Sequence, residues 1–179
     1  MNFFAQYMRR VAELVEAIDL AAFDAATALL KNAHARGGKV LLAGNGGSAA
    51  MASHIAVDLT KVAGIRGVTF NESDLITCFA NDFGYEQWVA KALEYYADPE
   101  DVVVLISSSG RSPNIVNAAQ QANSMKLPLV TFSGFAPDNP LRARGTVDFW
   151  VDSREYNHVE ATHQTWLVAI VDALVAQQP

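Results

Sequence analysis

Two short loops rich in serine and glycine hold the residues best suited to chemistry in this sequence. The first is Gly44-Asn45-Gly46-Gly47-Ser48, and the second is Ser107-Ser108-Ser109-Gly110-Arg111-Ser112. Each follows a run of Val and Leu and opens a helical pattern, within KVLLAGNGGSAAMASHIAVDL (39–59) and DVVVLISSSGRSPNIVNAA (101–119). Such a junction presents backbone N–H groups and hydroxyls at the positive end of a helix dipole, which suits a phosphate. Two junctions in one small chain point to a phosphorylated ligand held by more than one loop, either a sugar phosphate or a nucleotide.

In the first loop, glycines allow positive φ and let the backbone approach a ligand closely. Ser48 either caps the following helix or donates to a bound oxygen. The same residues also suit a tight turn with no ligand. No Gly-Lys-Ser/Thr follows, and the G-x-G-x-x-G pattern is absent, so no nucleotide cofactor is expected. The second loop has four serines in six positions, more than a structural turn needs, and Ser112-Pro113 reads as an N-cap followed by an N1 proline. Arg111 either adds charge to the anion site or is simply solvated.

The titratable candidates lie on the helices that these loops and the C-terminus supply. His54 and Asp58 are four apart and share a helical face; Glu160 and His163 are three apart and share another. Two acid–imidazole pairs suit general acid–base work or a tetrahedral metal site, if the two helices meet. Each pair taken alone reads as a surface helix pair. Asp82, in Ala80-Asn81-Asp82-Phe83-Gly84, is placed either to bind sugar hydroxyls or to cap a turn. Gln164 shares the face of Glu160 and is placed to meet a ligand or to bond within the helix bundle. His34 and Cys78 read as structural.

The elements that must position these residues follow from hydrophobic period. Residues 2–36 read as one long helix or two shorter ones, with Asp19 as a cap between them and Gly37-Gly38 as the stop. Strands are expected at 39–43, 68–70, 102–106, 129–132 and 149–151. Helices are expected at 48–62, from Ser73 through Phe79, 85–96, 112–124 and 157–176, with 81–84 as a loop. Strands alternating with helices indicate an α/β fold with a parallel sheet covered on both faces, and ligands beyond the carboxyl ends of the strands. The last helix is apolar on most sides, which predicts burial against another subunit.

The 179 residues suffice for one domain with a sizeable core. The balance of 19 acidic to 13 basic residues gives a net charge of −6, against a general nucleic-acid binder. One cysteine leaves no internal disulfide and no cysteine-based zinc site, which fits a reducing cytoplasm. Arg9, Arg10, Glu13 and Glu16 interrupt any apolar N-terminal stretch, so neither a secretory signal nor a membrane span is expected.

GNGGSAA, ANDFGYE and ISSSGRSPN together resemble the sugar isomerase (SIS) domain proteins, and among them the phosphoheptose isomerase group. The resemblance implies a flavodoxin-like three-layer sandwich with a mainly parallel sheet across residues 1–179. It adds N-terminal helices (1–36) used in oligomerisation and a long C-terminal helix. It implies a homotetramer with sites built between subunits, and conversion of sedoheptulose 7-phosphate to a heptose phosphate for bacterial surface polysaccharide. By resemblance Asn45 and Ser48 contact the sugar, Ser107, Ser109 and Ser112 hold the phosphate, and Asp82 sits by the sugar chain. Gly46, Gly47, Ser108 and Gln164 complete the expected binding set.

The catalytic half departs from the family pattern. His-x-x-x-Glu becomes His54 and Asp58, and a Gln and a His eight residues apart become Glu160 and Val168, while Asn157 stands where Asp is usual. Valine neither ligates zinc nor moves a proton. The expected catalytic set is therefore His54, Asp58, Glu160 and His163, with Asp58 or Glu160 as base. The same four are the candidate ligands of a zinc ion. The alternatives are an isomerase of another phosphosugar and a non-catalytic scaffold of the kind that binds the replication initiator DnaA.

Overall fold

A computed structural model describes residues 2–177. The N-terminal segment is two helices, α1 (Phe3–Glu16) and α2 (Leu20–Ala35), separated where the Asp19 side chain accepts hydrogen bonds from the amides of Ala21 and Ala22. There follow β1 (Val40–Ala43), α3 (Gly47–Lys61), β2 (Gly67–Thr69), α4 (Ser73–Phe83) and α5 (Trp88–Tyr96). The chain continues through β3 (Val102–Ser107), α6 (Pro113–Ser124), β4 (Leu129–Ser133), β5 (Val147–Trp150) and α7 (Tyr156–Ala176). The five strands are parallel in the order β2-β1-β3-β4-β5. The order reverses between β1 and β3, the place where open parallel sheets leave a crevice for ligands.

Successive residues of each strand face opposite sides, so the sheet has two cores. Val40, Leu42, Val104, Ile106, Phe132 and Phe149 pack with α1, α2, α3 and α7. Leu41, Ala43, Val103, Leu105 and Leu129 pack with α5 and α6. Both faces of β1, β3 and β4 are covered, which is why these strands read as unbroken apolar runs.

At the amino ends of the strands Asp101, fully buried, accepts from the Lys39 amide at 2.8 Å and from Lys39 Nζ at 2.6 Å. Burial works to lower the Lys39 pKa, but hydrogen bonds and charge from Asp101 and Asp98 outweigh it and hold the ammonium above its usual range.

Two expectations need correction. Residues 81–83 are not a loop: α4 runs on through Phe83 and ends at Gly84, whose φ of +86° stops it. The apolar side of α7 is also buried within its own chain. Val159, Trp166, Leu167, Ile170, Val171 and Leu174 pack with α1, α2 and α3, and the Trp166 indole N–H donates to Val15 O at 3.0 Å. The remaining strand and helix expectations match the observed elements to within two or three residues at each end.

Candidate functional site

The two serine–glycine loops emerge from β1 and β3, neighbours at the reversal point of the sheet. Between them lies a cleft of about 300 Å³ lined by both loops and by the first turn of α7. Asn45, Gly46, Gly47 and Ser48 form one wall, Ser107, Ser108, Ser109 and Ser112 a second, and Tyr156 and Glu160 the third. The helices α3 and α6 both begin at this cleft. Neither N-cap position, Gly46 or Ser112, has a side chain bonded to its helix's first turn. The Ser112 hydroxyl, expected to cap α6, instead takes a 3.1 Å hydrogen bond from Ser107 Oγ. Two helix N-termini and a row of hydroxyls therefore converge on one space, which is the chemistry of an oxyanion site.

Several contacts fix the shape of this site. Gly110 sits at φ +65°, and a Cβ there would collide with the Asn139 side chain. Asn139 is buried, and its amide nitrogen donates to the Ala136 and Gly134 carbonyls, so it forms a floor beneath the second loop. Asn45 and Asn114 exchange amide hydrogen bonds of 2.9 and 2.8 Å, which tie the first loop to the start of α6. The Tyr85 hydroxyl donates to Asn45 Oδ1 at 3.2 Å. Asn114, Asn139, Tyr85 and Tyr156 escaped the sequence reading. Only Asn114 and Tyr85 lie inside recognised motifs, and nothing local distinguishes Asn139 or Tyr156 from a solvated polar residue.

Among the described residues Glu160 is the only charged group in the lining, and no Lys or Arg joins it. Its Oε1 accepts from Ser108 Oγ at 3.3 Å. Its other oxygen lies against Gly47, where any Cβ would collide with it. A carboxylate thus stands at the N-terminus of α3, where the helix dipole favours it.

His54 and Asp58 form a second group. His54 Nε2 is 3.1 Å from Asp58 Oδ2, and the two side chains are 54% and 28% exposed. They lie seven and eleven residues past Gly47, roughly 10 and 16 Å along the helix, and neither lines the cleft. The Gln164 amide nitrogen is 2.9 Å from His54 Nδ1, so Gln164 bonds within the helix pair rather than facing the cleft.

His163 is placed elsewhere. Its ring is fully buried, Nε2 is 3.0 Å from Ser133 O, Nδ1 has no partner among the described residues, and Phe132 packs edge-on at 5.6 Å between ring centres. Burial pushes its pKa down to about 4 against the smaller opposing effect of the Ser133 carbonyl. The expectation that His163 pairs with Glu160 in a catalytic or metal-binding role is therefore corrected. On α7 the two side chains leave on diverging sides, one to the cleft and one to the core. Asp82 stands on an exposed stretch of α4, with Asn81 Nδ2 at 2.9 Å, and does not line the cleft. Among the described residues no three His, Cys, Asp or Glu side chains are grouped as a metal site requires. The four candidate zinc ligands thus do not meet within this chain.

Residues 3–134 match the family model described as SIS domain. A phosphoheptose isomerase from Fusobacterium nucleatum is 30% identical over 150 residues, covering 81% of this chain and 77% of that one. Another, from Helicobacter hepaticus, is 37% identical over 139 residues, covering 74% and 68%. In three dimensions a phosphoheptose isomerase from Neisseria gonorrhoeae aligns with a TM-score of 0.86 at 26% identity, over 96% of this chain and 94% of the other. One from Francisella tularensis gives 0.86 at 22% identity over 98% and 95%, a likeness of fold. Both serine–glycine loops lie within the residues that the family model matches, and by sequence and architecture together this chain belongs to the SIS domain family.

Proposed function

We propose that this chain is a phosphosugar aldose–ketose isomerase and that its substrate is sedoheptulose 7-phosphate. The observation that carries the reading is the cleft itself: two helix N-termini and five serines beside a single carboxylate, Glu160. The serines and the start of α6 hold the phosphate. Asn45, pinned by Asn114, and Ser48 meet the sugar.

Glu160 takes a proton from C1 of the ketose, next to the C2 carbonyl, while O2 gains one, which gives the enediol. The reverse transfers at O1 and C2 then yield the aldehyde. The oxygen-bound protons are the task of the His54–Asp58 pair. That pair lies outside the cleft of its own subunit, so it serves a site only across a subunit boundary. Exposed Val57 beside Asp58, and Phe3, Phe4 and Met8 exposed on α1, support a homotetramer that covers these faces. Zinc enters this reading only as an ion that His54 and Asp58 would share with donors of a second copy, and no step above runs through it. The reaction belongs in the cytoplasm, on the route to surface heptose.

The test is proton exchange. Sedoheptulose 7-phosphate incubated with the protein in deuterated water should gain deuterium at the carbon beside the carbonyl. No exchange on this substrate, with or without added zinc, removes the heptose reading, and silence across a panel of ketose phosphates removes isomerase activity altogether. Val168 and the distance of His54 from the cleft favour one rival, a non-catalytic scaffold, for which a DnaA pull-down positive at micromolar concentration is the expected sign.

A further inference from the structure

The connection between β4 and β5, residues 134–146, meets the second serine–glycine loop at three points. Gly134 packs so close to Val159 and the Ser108 carbonyl that a Cβ there would meet both. The Leu141 amide donates to Gly110 O at 3.1 Å. The Asn139 side chain lies against Gly110 and fills the space that a Cβ would take.

Backbone groups settle which way the Asn139 amide faces. Its nitrogen is 2.9 Å from Ala136 O and 3.1 Å from Gly134 O, and carbonyls only accept. Its oxygen is 2.9 Å from the Arg142 amide, which only donates. The residue is 2% exposed, so breaking these bonds leaves buried groups unpaired. The connection has its own anchor. Arg142 donates to Pro137 O at 2.9 Å, and its guanidinium lies 4.4 Å from the centre of the Trp150 ring on β5. The support is thus tied to β5 rather than to the loop it carries.

Among the described residues the cleft lining holds no Lys or Arg, so a phosphate there meets hydroxyls, amides and helix dipoles. Neutral hydrogen bonds weaken steeply with distance and angle, and they serve a ligand best when the donors are already in place. Gly110 closes the turn that presents the serines: its N–H donates to Ser107 O at 2.9 Å, at a φ of +65°. We propose that Asn139 is a positioning residue for substrate binding: it holds Gly110, and through it Ser107, Ser108 and Ser109, where their hydroxyls meet the phosphate. This rests on the reading of the serine loop as the phosphate wall of an isomerase.

Asn139→Asp tests this on the full chain with sedoheptulose 7-phosphate. The variant keeps the size and the acceptor for Arg142, and sets an oxygen against the two carbonyls. KM should rise roughly tenfold, the value of one or two neutral hydrogen bonds at about fivefold each, with kcat within about twofold of wild type. Asp101→Ala, which loosens the far end of the sheet, is the comparison, and its folded enzyme should keep the wild-type KM. An unchanged KM in Asn139→Asp, a loss confined to kcat, or an equal rise of KM in Asp101→Ala overturns the proposal.

Gly110→Ala, which drives a Cβ into Asn139, should raise KM likewise, and it decides the matter if Asn139→Asp does not fold; an unchanged KM there overturns the proposal too. If the wild type turns over no phosphosugar, the isomerase reading fails, and hydrogen exchange decides whether Asn139 holds the loop. In either variant the amides of residues 110 and 141 should then exchange roughly tenfold faster than in wild type while those of β1 do not change. Equal rates overturn it.

Discussion

Lowering the pH should destabilise this fold through one buried ring. His163 is fully enclosed, its Nδ1 has no hydrogen-bond partner among the described residues, and burial lowers its pKa from 6.5 to about 4. Below 6.5 the unfolded chain binds a proton on this imidazole that the native ring refuses. The stability associated with the neutral ring is therefore complete above pH 6.5 and is lost as the pH falls toward 4. The full effect is about 3 kcal/mol, of which about 2 kcal/mol is already lost at pH 5. Other groups titrate over the same range, so the measurement is a comparison.

Urea unfolding at pH 8 and pH 5 should be run on wild type and on His163→Gln. Glutamine keeps a donor for Ser133 O and carries no titratable proton. The variant should be less stable at pH 8 by about 1 kcal/mol, through imperfect packing and a weaker hydrogen bond. Its further loss between pH 8 and pH 5 should be smaller than that of wild type by about 2 kcal/mol. Equal losses in the two proteins would refute the reasoning. The same variant bears on the chemistry: His163→Gln should retain proton exchange at neutral pH, and its complete loss in a folded protein would return His163 to the active site.

Four further outcomes follow from the geometry. Glu160→Gln should abolish proton exchange from sedoheptulose 7-phosphate while binding of the sugar phosphate, read by calorimetry, holds or tightens, because the cleft loses a negative charge; an active Glu160→Gln enzyme would refute its role as base. Gly47→Ala should displace Glu160 and weaken substrate binding in a protein whose melting temperature stays close to wild type; unchanged affinity would mean that the close approach has no functional consequence. Ser112→Ala should weaken phosphosugar binding by about 1 kcal/mol, the value of one hydrogen bond, with little change in kcat. Asp101→Ala should cost about 3 kcal/mol in chemical denaturation, since it leaves the mostly buried Lys39 ammonium with Asp98 alone and strands two amides at the far end of the sheet, and a loss under 1 kcal/mol would show that water replaces the carboxylate.

The fold and the loop half of the candidate site were legible because their signals are contiguous. An apolar strand, a glycine or serine turn and a helix N-terminus fall within twenty residues, and local backbone chemistry decides what such a stretch does. The parallel order of the sheet then obliges β1 and β3 to deliver both loops to one crevice. Reading the catalytic half required knowing how α7 docks. Glu160, His163 and Gln164 lie within five residues and read as one helical face, yet they end in three environments: the cleft, the core beside Ser133, and the imidazole of His54.

At 3.6 residues per turn, Glu160 and His163 differ by about 60° around the axis, and Glu160 and Gln164 by about 40°. That is enough for small rotations of a packed helix to exchange their partners. Sequence spacing carries no information about that rotation; it is set by Trp166, Leu167 and Ile170 packing against α1, α2 and α3. The sequence by itself determined which two loops flank the cleft and which residue types line them. The tertiary structure decided which acid faces the cleft, which histidine is withdrawn into the core, and that His54 and Asp58 stand apart from the cleft.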